Sequence, residues 1–271
     1  NMLFIDKDGL SADATNQILR LAAFSNPEFY RAQGMKQSVY GKPRIISLGE
    51  DVPDHIALPR GCEQRLLALF EAHGAVVEVL DRRNAHAPLR VTFDGTLRKR
   101  QQEVADGLLG YDCGVLSAPT GFGKTVVGAY IIASLKARTL VIVPKTSLIA
   151  QWQERLESFL TIDETLEPLL TKTGRKSRRV RSLVGQIGGG KNLPSGLVDI
   201  ATFQSLLEKS DVEGVKRVKD IVQCYDLIIC DECQYAAASH LEIVLREARA
   251  RWVYGLSATP KRSDGLEGII Y

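Results

Sequence analysis

Five short apolar runs, separated by helix-like stretches, organise the chain from residue 97 onward. They span residues 114–116, 140–143, 197–201, 227–230 and 252–256. The runs are almost continuous in apolar residues and rich in β-branched ones, which is typical of strands buried on both faces. Strands that alternate with helices predict an α/β fold, in which a parallel sheet is covered by helices on both faces.

The N-terminal residues follow a less regular pattern. We predict a helix over 11–24 that begins at Ser11 or Asp13, a strand at 43–48, a helix over 62–73 ended by Gly74, and a β-branched strand at 75–80. We therefore expect two domains: a small α/β domain at 1–93, which is a possible accessory for nucleic-acid binding, and a larger one at 94–271. Residues 89–93 fit either the last strand of the first domain or the link to the second.

Aromatic and basic residues are interleaved in the small domain, at Phe29, Tyr30, Arg31, Lys36 and Tyr40. Such a surface would bind nucleic acid, because bases stack on aromatic rings and phosphates pair with cations. A helix that packs its rings inward explains the same residues, and their density favours that second interpretation.

The composition is that of an ordinary globular protein. The chain has 271 residues, 45% of them hydrophobic, and a net charge of +3 that by itself indicates no particular partner. No apolar run approaches the roughly 18 residues of a membrane span, and no leader pattern is visible, so we expect a cytoplasmic protein without a membrane partner. Cys230 and Cys233 form a C-x-x-C pair, but a second ligand pair is missing, which favours buried structural cysteines over a zinc or redox site.

A glycine-bearing loop follows the first apolar run and precedes a helix-like stretch. Its sequence, from residue 118 to 125, is A-P-T-G-F-G-K-T. Gly121 and Gly123 allow a tight turn that points N–H groups at an anion near the positive end of the helix dipole. Lys124 adds charge for the outer phosphates, and the Thr125 hydroxyl can complete a magnesium shell. A glycine turn with an incidental lysine is the alternative.

Two acids, Asp231 and Glu232, follow the run at 227–230. Adjacent acids at a strand end are usually just solvated. In open parallel sheets, however, ligands bind beyond the carboxyl ends of the strands, where these acids would meet the loop. Asp231 would then hold Mg²⁺ through its water shell, and Glu232 would orient and deprotonate the attacking water.

Six motifs occur in order along the second domain. They are L-R-K-R-Q at 97–101, A-P-T-G-F-G-K-T at 118–125, V-P-K-T-S-L at 143–148, A-T-F-Q-S-L at 201–206, D-E-C-Q at 231–234 and G-L-S-A-T-P-K-R at 255–262. This ordered series resembles the motifs of superfamily 2 helicases of the DEAD/DEAH type. Alanine at the first loop position also resembles the helicase branch of P-loop proteins. I-G-G-G-K at 187–191 and A-T-P-K-R-S-D-G at 258–265 are similar to excision-repair and restriction-enzyme motors. The segment before the motor resembles that of primase-associated (TOTE conflict system) helicases.

The resemblance implies an N-terminal RecA-like motor domain that hydrolyses ATP with Mg²⁺. The implied nucleotide-binding residues are Arg98, the adenine reader Gln101, Pro119, Thr120, Gly121, Phe122, Gly123, Lys124 and Thr125. The implied catalytic residues are Lys124, Asp231, Glu232 and Gln234, with Thr125 and Asp231 on the metal. Gln234 stands where the family usually has histidine or aspartate.

The resemblance also implies a nucleic-acid track, DNA more than RNA. Residues implied to touch its backbone are Lys145, Thr146, Gly189, Thr202 and Gln204, and Ser257 and Thr259 would couple nucleotide state to grip. Hydroxyls, amides and glycine N–H groups suit contacts that do not read bases. The family needs a second RecA-like domain, so we expect this chain to be one motor half, weakly active alone, with a possible nuclease or primase partner.

Two other functions remain open at this stage. A P-loop nucleotide or metabolite kinase would carry an arginine-rich lid after the loop and would lack the S-A-T motif. A nucleotide-gated DNA-binding module with decayed catalysis is disfavoured by intact Lys124, Asp231 and Glu232.

A basic run lies between Glu167 and Asp199, where the sequence has no acid. Its members are Lys172, Arg175, Lys176, Arg178, Arg179, Arg181 and Lys191. The run fits a solvated loop and equally a patch that steers phosphates and weakens with salt.

Overall fold

The computed structural model describes residues 1–168, 181–209, 216–233 and 239–258. These residues form two compact units, one within 1–82 and the other within 83–258. The division lies before residue 83 and not at 93, because residues 83–93 belong to the second unit. Leu89 is buried in its core, and the strand Val91–Phe93 pairs with the strand Leu160–Ile162.

The first unit has two small antiparallel sheets. Its elements are β1 (Met2–Asp6), α1 (Ala12–Arg20), β2 (Ala23–Ser25), α2 (Pro27–Gly34), β3 (Ile45–Ser47), β4 (Glu50–Asp51), β5 (His55–Pro59) and α3 (Glu63–Ala72). One sheet has the order β1-β5-β4, and β2 pairs with β3. The predicted cap is confirmed, since the Ser11 hydroxyl accepts from the Ala14 N–H at 3.1 Å.

The strand predicted at residues 75–80 is wrong. Val76, Val79 and Leu80 are largely exposed, and the segment has no strand partner among the described residues. Their β-branched pattern indicates only a preference, and a strand forms only where another strand accepts its hydrogen bonds.

The second unit is built on a seven-stranded sheet. Its elements are β6 (Val91–Phe93), α4 (Lys99–Leu109), β7 (Cys113–Ser117), α5 (Lys124–Leu135), β8 (Thr139–Val143), α6 (Ser147–Phe159), β9 (Leu160–Ile162), β10 (Val184–Gly188), β11 (Lys191–Leu193), β12 (Val198–Thr202), β13 (Leu207–Lys209), β14 (Lys216–Val218), β15 (Leu227–Asp231), α7 (Ser239–Glu247) and β16 (Trp252–Ser257). The sheet order is β11-β10-β12-β8-β15-β16-β7. All neighbours are parallel except the β10–β11 pair, so the predicted α/β fold is confirmed.

The register of three strands brings the motif residues to one edge of this sheet. Asp231 on β15 lies beside Leu256 on β16, which lies beside Leu116 on β7. The Ala118 N–H then donates to the Ser257 carbonyl at 3.0 Å. With strands about 4.8 Å apart, β15 and β7 are separated by about 10 Å. The phosphate loop and the two acids therefore leave the sheet on the same side.

A buried polar network ties the early part of β12 to the segment before β15. The Asp199 carboxylate is fully buried and accepts hydrogen bonds from the Ser195 N–H (2.6 Å), the Ser195 hydroxyl (3.1 Å), the Gly196 N–H (2.7 Å) and the Tyr225 hydroxyl (2.7 Å). These bonds offset the cost of burying a carboxylate.

Among the described helices, none combines the length and apolarity needed to cross a bilayer.

Candidate active site

The loop between β7 and α5 has the geometry of a phosphate cradle. Gly121 (φ 81°) and Gly123 (φ 90°) adopt left-handed backbone conformations that glycine tolerates best. A Cβ on Gly123 would lie 2.5 Å from the Gln101 amide nitrogen, so any side chain at that position would displace the Gln101 amide. Gly123 caps α5, whose first N–H groups have no acceptor inside the helix and face the loop.

Lys124 lies at the centre of this cradle. Its Nζ donates to the Ala118 carbonyl at 3.0 Å, so the side chain folds back over the loop. Burial raises the pKa of the Asp231 carboxyl, and the Lys124 charge opposes that rise. A cation folded over the loop is placed to contact the outer phosphates of a nucleotide.

Asp231, at the end of β15, is held by two donors. The Trp152 indole N–H reaches Oδ2 at 2.7 Å, and the Glu232 N–H reaches Oδ1 at 3.0 Å. Burial raises the pKa of this carboxyl above its ordinary value, and the Glu232 charge adds to that rise. The two hydrogen bonds and the Lys124 charge act in the opposite direction. Cation-compatible lone pairs remain on both oxygens, because each accepts one of these hydrogen bonds.

Glu232 has a strained backbone. Its φ of 51° is left-handed, although it is not glycine. Such a conformation costs about 1–2 kcal/mol, and strain of this kind concentrates at functional sites. The turn takes the Glu232 side chain, which is half-buried, out of the strand path immediately after Asp231.

Arg98 and Gln101 both contact the phosphate loop. The Gln101 amide is buried; it donates to the Phe122 carbonyl at 2.8 Å and accepts from the Arg98 N–H at 2.9 Å. The Arg98 guanidinium donates to the same Phe122 carbonyl. One N–H and one lone pair of the amide remain, which is the pair of groups that an adenine edge would need.

A second group of motif residues meets beside the β10–β11 turn. Gly189 (φ 61°) lies next to Thr146, because a Cβ at position 189 would be 3.7 Å from the Thr146 Cβ. Gly188 (φ 113°) faces Ser205, whose hydroxyl would be 2.2 Å from an added Cβ. The Ser205 and Thr202 hydroxyls are joined at 2.6 Å. Residues of three motifs thus lie together beside this turn.

Exposure separates the residues of this surface into two kinds. Lys145, Thr146, Gly189 and Gln204 are exposed, whereas Thr202 is 3% exposed. Thr202 therefore orients Ser205 and the turn and does not present its own side chain. Sequence reasoning missed Ser205, although the hydroxyl in A-T-F-Q-S-L was visible.

Trp152 was also missed. A polar indole N–H inside an apolar helix face needs a buried acceptor, and this was the available signal.

Some of the predicted site residues lie outside the part of the chain that the structure describes. They are Gln234, Thr259 and the basic residues 172–179. Ser257 is buried at the end of β16. Of the rest of the basic run, Lys191 is exposed, while Arg181 donates to the main-chain oxygens of Pro194 (3.4 Å) and Glu167.

Both cysteines of the C-x-x-C pair are buried. Burial raises the pKa of the Cys230 thiol, and it raises that of Cys233 to about 12. Within the described residues, no group of three or more His, Cys, Asp and Glu side chains is arranged to hold a metal ion. A magnesium nucleotide does not require such a group, because Mg²⁺ usually takes one or two carboxylates and keeps its waters.

Comparison with known proteins agrees with this geometry. The family model described as type III restriction enzyme, res subunit, matches residues 94–262. A DNA 3'-5' translocase XPB2 of Sulfurisphaera tokodaii is 30% identical over 169 residues, which are 62% of this chain and 32% of that protein. A DNA 3'-5' helicase XPB of Kineococcus radiotolerans is 31% identical over 192 residues, which are 69% of this chain and 30% of that protein.

Solved structures show the same fold. The UvsW helicase of bacteriophage T4 superposes with a TM-score of 0.59 at 15% identity, covering 96% of this chain and 92% of that one. The chain spans about a third of the length of the two XPB relatives. From the matched family, the ordered motifs and the sheet, we conclude that this chain belongs to the type III restriction enzyme res subunit family and contains the RecA-like motor domain of a superfamily 2 helicase.

Proposed function

We propose that this chain is the ATP-hydrolysing half of a DNA helicase or translocase. The observation that carries the proposal is the meeting of the phosphate loop and Asp231 at one sheet edge. ATP as the nucleotide follows from the family, whose motor domains use it. The kinase alternative is not favoured by any of the relatives described above.

We propose the following roles for the site residues, which their positions support. Lys124 and the loop N–H groups bind phosphates, while Arg98 and Gln101 hold the adenine. Thr125 and Asp231 would hold Mg²⁺, which would supply charge neutralisation at the phosphates when bound. Glu232, adjacent to Asp231, accepts the proton of the attacking water.

We further propose that the surface beside the β10–β11 turn grips the sugar-phosphate backbone. Lys145, Thr146, Gly189 and Gln204 supply a cation, a hydroxyl, a backbone N–H and an amide, and these groups contact phosphates and sugars without reading bases. DNA is preferred to RNA because the two XPB relatives are named as acting on DNA. Gln234, Ser257 and Thr259 are proposed to couple this grip to the nucleotide.

We propose the partner domains from the family resemblance. A second RecA-like domain would supply the other wall of the ATP cleft. A nuclease partner would fit the resemblance to restriction-enzyme motors, and a primase partner would fit the resemblance to primase-associated (TOTE conflict system) helicases. A cytoplasmic location suits such a motor.

The test is the ATPase rate of the chain, alone and mixed with a second RecA-like domain of the same family, with and without DNA or RNA. We expect polynucleotide to raise the rate and Lys124→Ala to abolish nucleotide binding. Phosphoryl transfer to a small molecule would establish the kinase instead. Absence of turnover in every mixture, with nucleotide binding retained, would establish the decayed module.

The N-terminal unit is proposed to be a nucleic-acid-binding accessory. Phe29 packs inside it with the Arg44 guanidinium 5.8 Å from its ring centroid, whereas Tyr40 is 96% exposed at the tip of a loop that also carries Lys36 and Lys42. An exposed ring among cations suits base stacking.

Tyr40→Ala should weaken single-stranded DNA binding about fivefold or more, since a stacked base contributes about 1–3 kcal/mol. Tyr111→Ala, at a 66% exposed tyrosine of the motor domain, is the matched control. Equal affinity of both variants would remove the accessory role.

A further inference from the structure

A buried tryptophan connects the two motif surfaces of the motor domain. Trp152 lies on α6 and is 1% exposed, and its indole N–H donates to Asp231 Oδ2 at 2.7 Å. The two residues are 79 positions apart in sequence. The only other hydrogen bond shown for this carboxylate is its contact with the adjacent Glu232 N–H, so Trp152 is its long-range anchor among the described residues.

The indole is tightly held on its other side. It packs against Gly128 of α5, where a Cβ would lie 3.0 Å from Trp152 Cη2 and 3.3 Å from Cζ3. A Cβ there would also lie 3.7 Å from Ile229 Cδ1 of β15. The ring therefore fills the space between the phosphate-loop helix and the strand that ends in Asp231, and it cannot shift without moving one of them.

The same helix reaches the proposed nucleic-acid surface at its N-terminus. Thr146 immediately precedes α6, and both Thr146 and Ile149 flank Gly189 at 3.7 Å from the position of an added Cβ. Ile149 and Trp152 are three residues apart and so lie on one face of the helix. A displacement of the first turn of α6 would therefore move the indole as well.

We propose that Trp152 is a positioning residue through which α6 couples nucleic-acid contact at Thr146 and Gly189 to the orientation of the Asp231 carboxylate. The inference rests on the proposed function and extends it to a residue without a motif role. With Oδ2 held by the indole and Oδ1 by the Glu232 N–H, the carboxylate plane is fixed. When the indole moves with α6, that plane turns relative to the phosphate loop.

The decisive variant is Trp152→Phe, which removes the indole N–H and keeps a shorter aromatic ring on the same face of α6. Trp252→Phe is the matched control: it makes the same change in the other tryptophan of the chain, at the start of β16, away from the site. We measure ATPase with and without DNA in the full chain complemented by the second motor domain. Trp152→Phe should lower the factor by which DNA stimulates ATP hydrolysis about tenfold, mainly through kcat, because one hydrogen bond to a charged group is lost. The KM for ATP and the affinity for DNA without nucleotide should each stay within about twofold of the wild-type value.

Two readouts besides turnover check the same point. Trp152→Phe should raise about tenfold the Mg²⁺ concentration that half-saturates binding of a fluorescent ADP, while metal-free ADP binding stays unchanged. Trp252→Phe leaves Trp152 as the sole tryptophan, so its emission should change when DNA is added without nucleotide.

Gly128→Ala provides a second route to the same effect if Trp152→Phe fails to fold. The added methyl pushes an intact indole away from its place, and it should lower the stimulation factor in the same way.

The outcomes separate this inference from the proposed function. If polynucleotide does not stimulate ATP hydrolysis by the wild-type chain, the motor assignment and the coupling role of Trp152 are both refuted. If wild type, Trp152→Phe and Trp252→Phe are stimulated equally, the motor assignment stands and Trp152 is only a core residue. An unchanged Trp152 emission on DNA addition would also overturn the coupling.

Discussion

Replacing Gly123 by alanine tests whether the Gln101 amide reads the base of the nucleotide. The new methyl would lie 2.5 Å from Gln101 Nε2, which is buried and already bonded to the phosphate loop. The amide must leave its place, although no group that contacts phosphate has been removed. Gly121→Ala is the matched control, because position 121 has a similar backbone (φ 81°) but open space around the added methyl.

The magnitudes follow from these contacts. Both variants place alanine in a left-handed conformation, at about 1–2 kcal/mol each. Only Gly123→Ala also breaks the two Gln101 hydrogen bonds, at 2.8 Å to Phe122 and 2.9 Å from Arg98, for about 1–3 kcal/mol more. If the displaced amide no longer contacts adenine, the binding free energy of ATP should fall by about the same 1–3 kcal/mol, which weakens its affinity about fivefold to a hundredfold.

The assay is competition of ATP and GTP against a fluorescent ADP. The ratio of the two affinities cancels losses at the phosphates, which are identical in both nucleotides. Gly121→Ala should weaken ATP and GTP alike and keep the wild-type ratio, whereas Gly123→Ala should bring the ratio close to one. Equal ratios in both variants would show that Gln101 does not read the base.

Three further changes test the fold and the chemistry. Asp199→Ala leaves several buried donors without an acceptor and should lower the free energy of unfolding, measured in urea, by about 3–5 kcal/mol. Tyr225→Phe removes only one of these donors and should lower it by about 1–2 kcal/mol. Equal losses in the two variants would contradict the network. Glu232→Gln should keep nucleotide binding and lower hydrolysis at least about a hundredfold, and a variant that hydrolyses normally would exclude Glu232 as the base. Gly255→Ala places a methyl 2.8 Å from Cys233 Sγ and should lower the free energy of unfolding by about 1–3 kcal/mol. Adding Cys233→Ala should restore part of that loss, and a double variant no more stable than Gly255→Ala would contradict the clash.

The sequence alone was sufficient for the motor domain's sheet and for the order of its motifs. Strands buried on both faces must be apolar throughout, so the runs at 140–143 and 227–230 identified β8 and β15 with small errors at the ends. The phosphate loop was equally readable, because glycine at positions 121 and 123 and lysine at 124 are the residue types that this backbone and an anion require. These signals are local, since each depends on residues within a few positions of one another.

Only the tertiary structure decided which distant groups meet. The partners of Asp231 and Asp199, Trp152 and Tyr225, lie 79 and 26 positions away, and no periodicity marks them. The same limit explains the error at 75–80, where β-branched residues found no neighbouring strand, and the boundary before residue 83, which depends on the pairing of β6 with β9. Local pattern states what a segment prefers, whereas burial and hydrogen-bond partners arise from contacts that form when the whole chain packs.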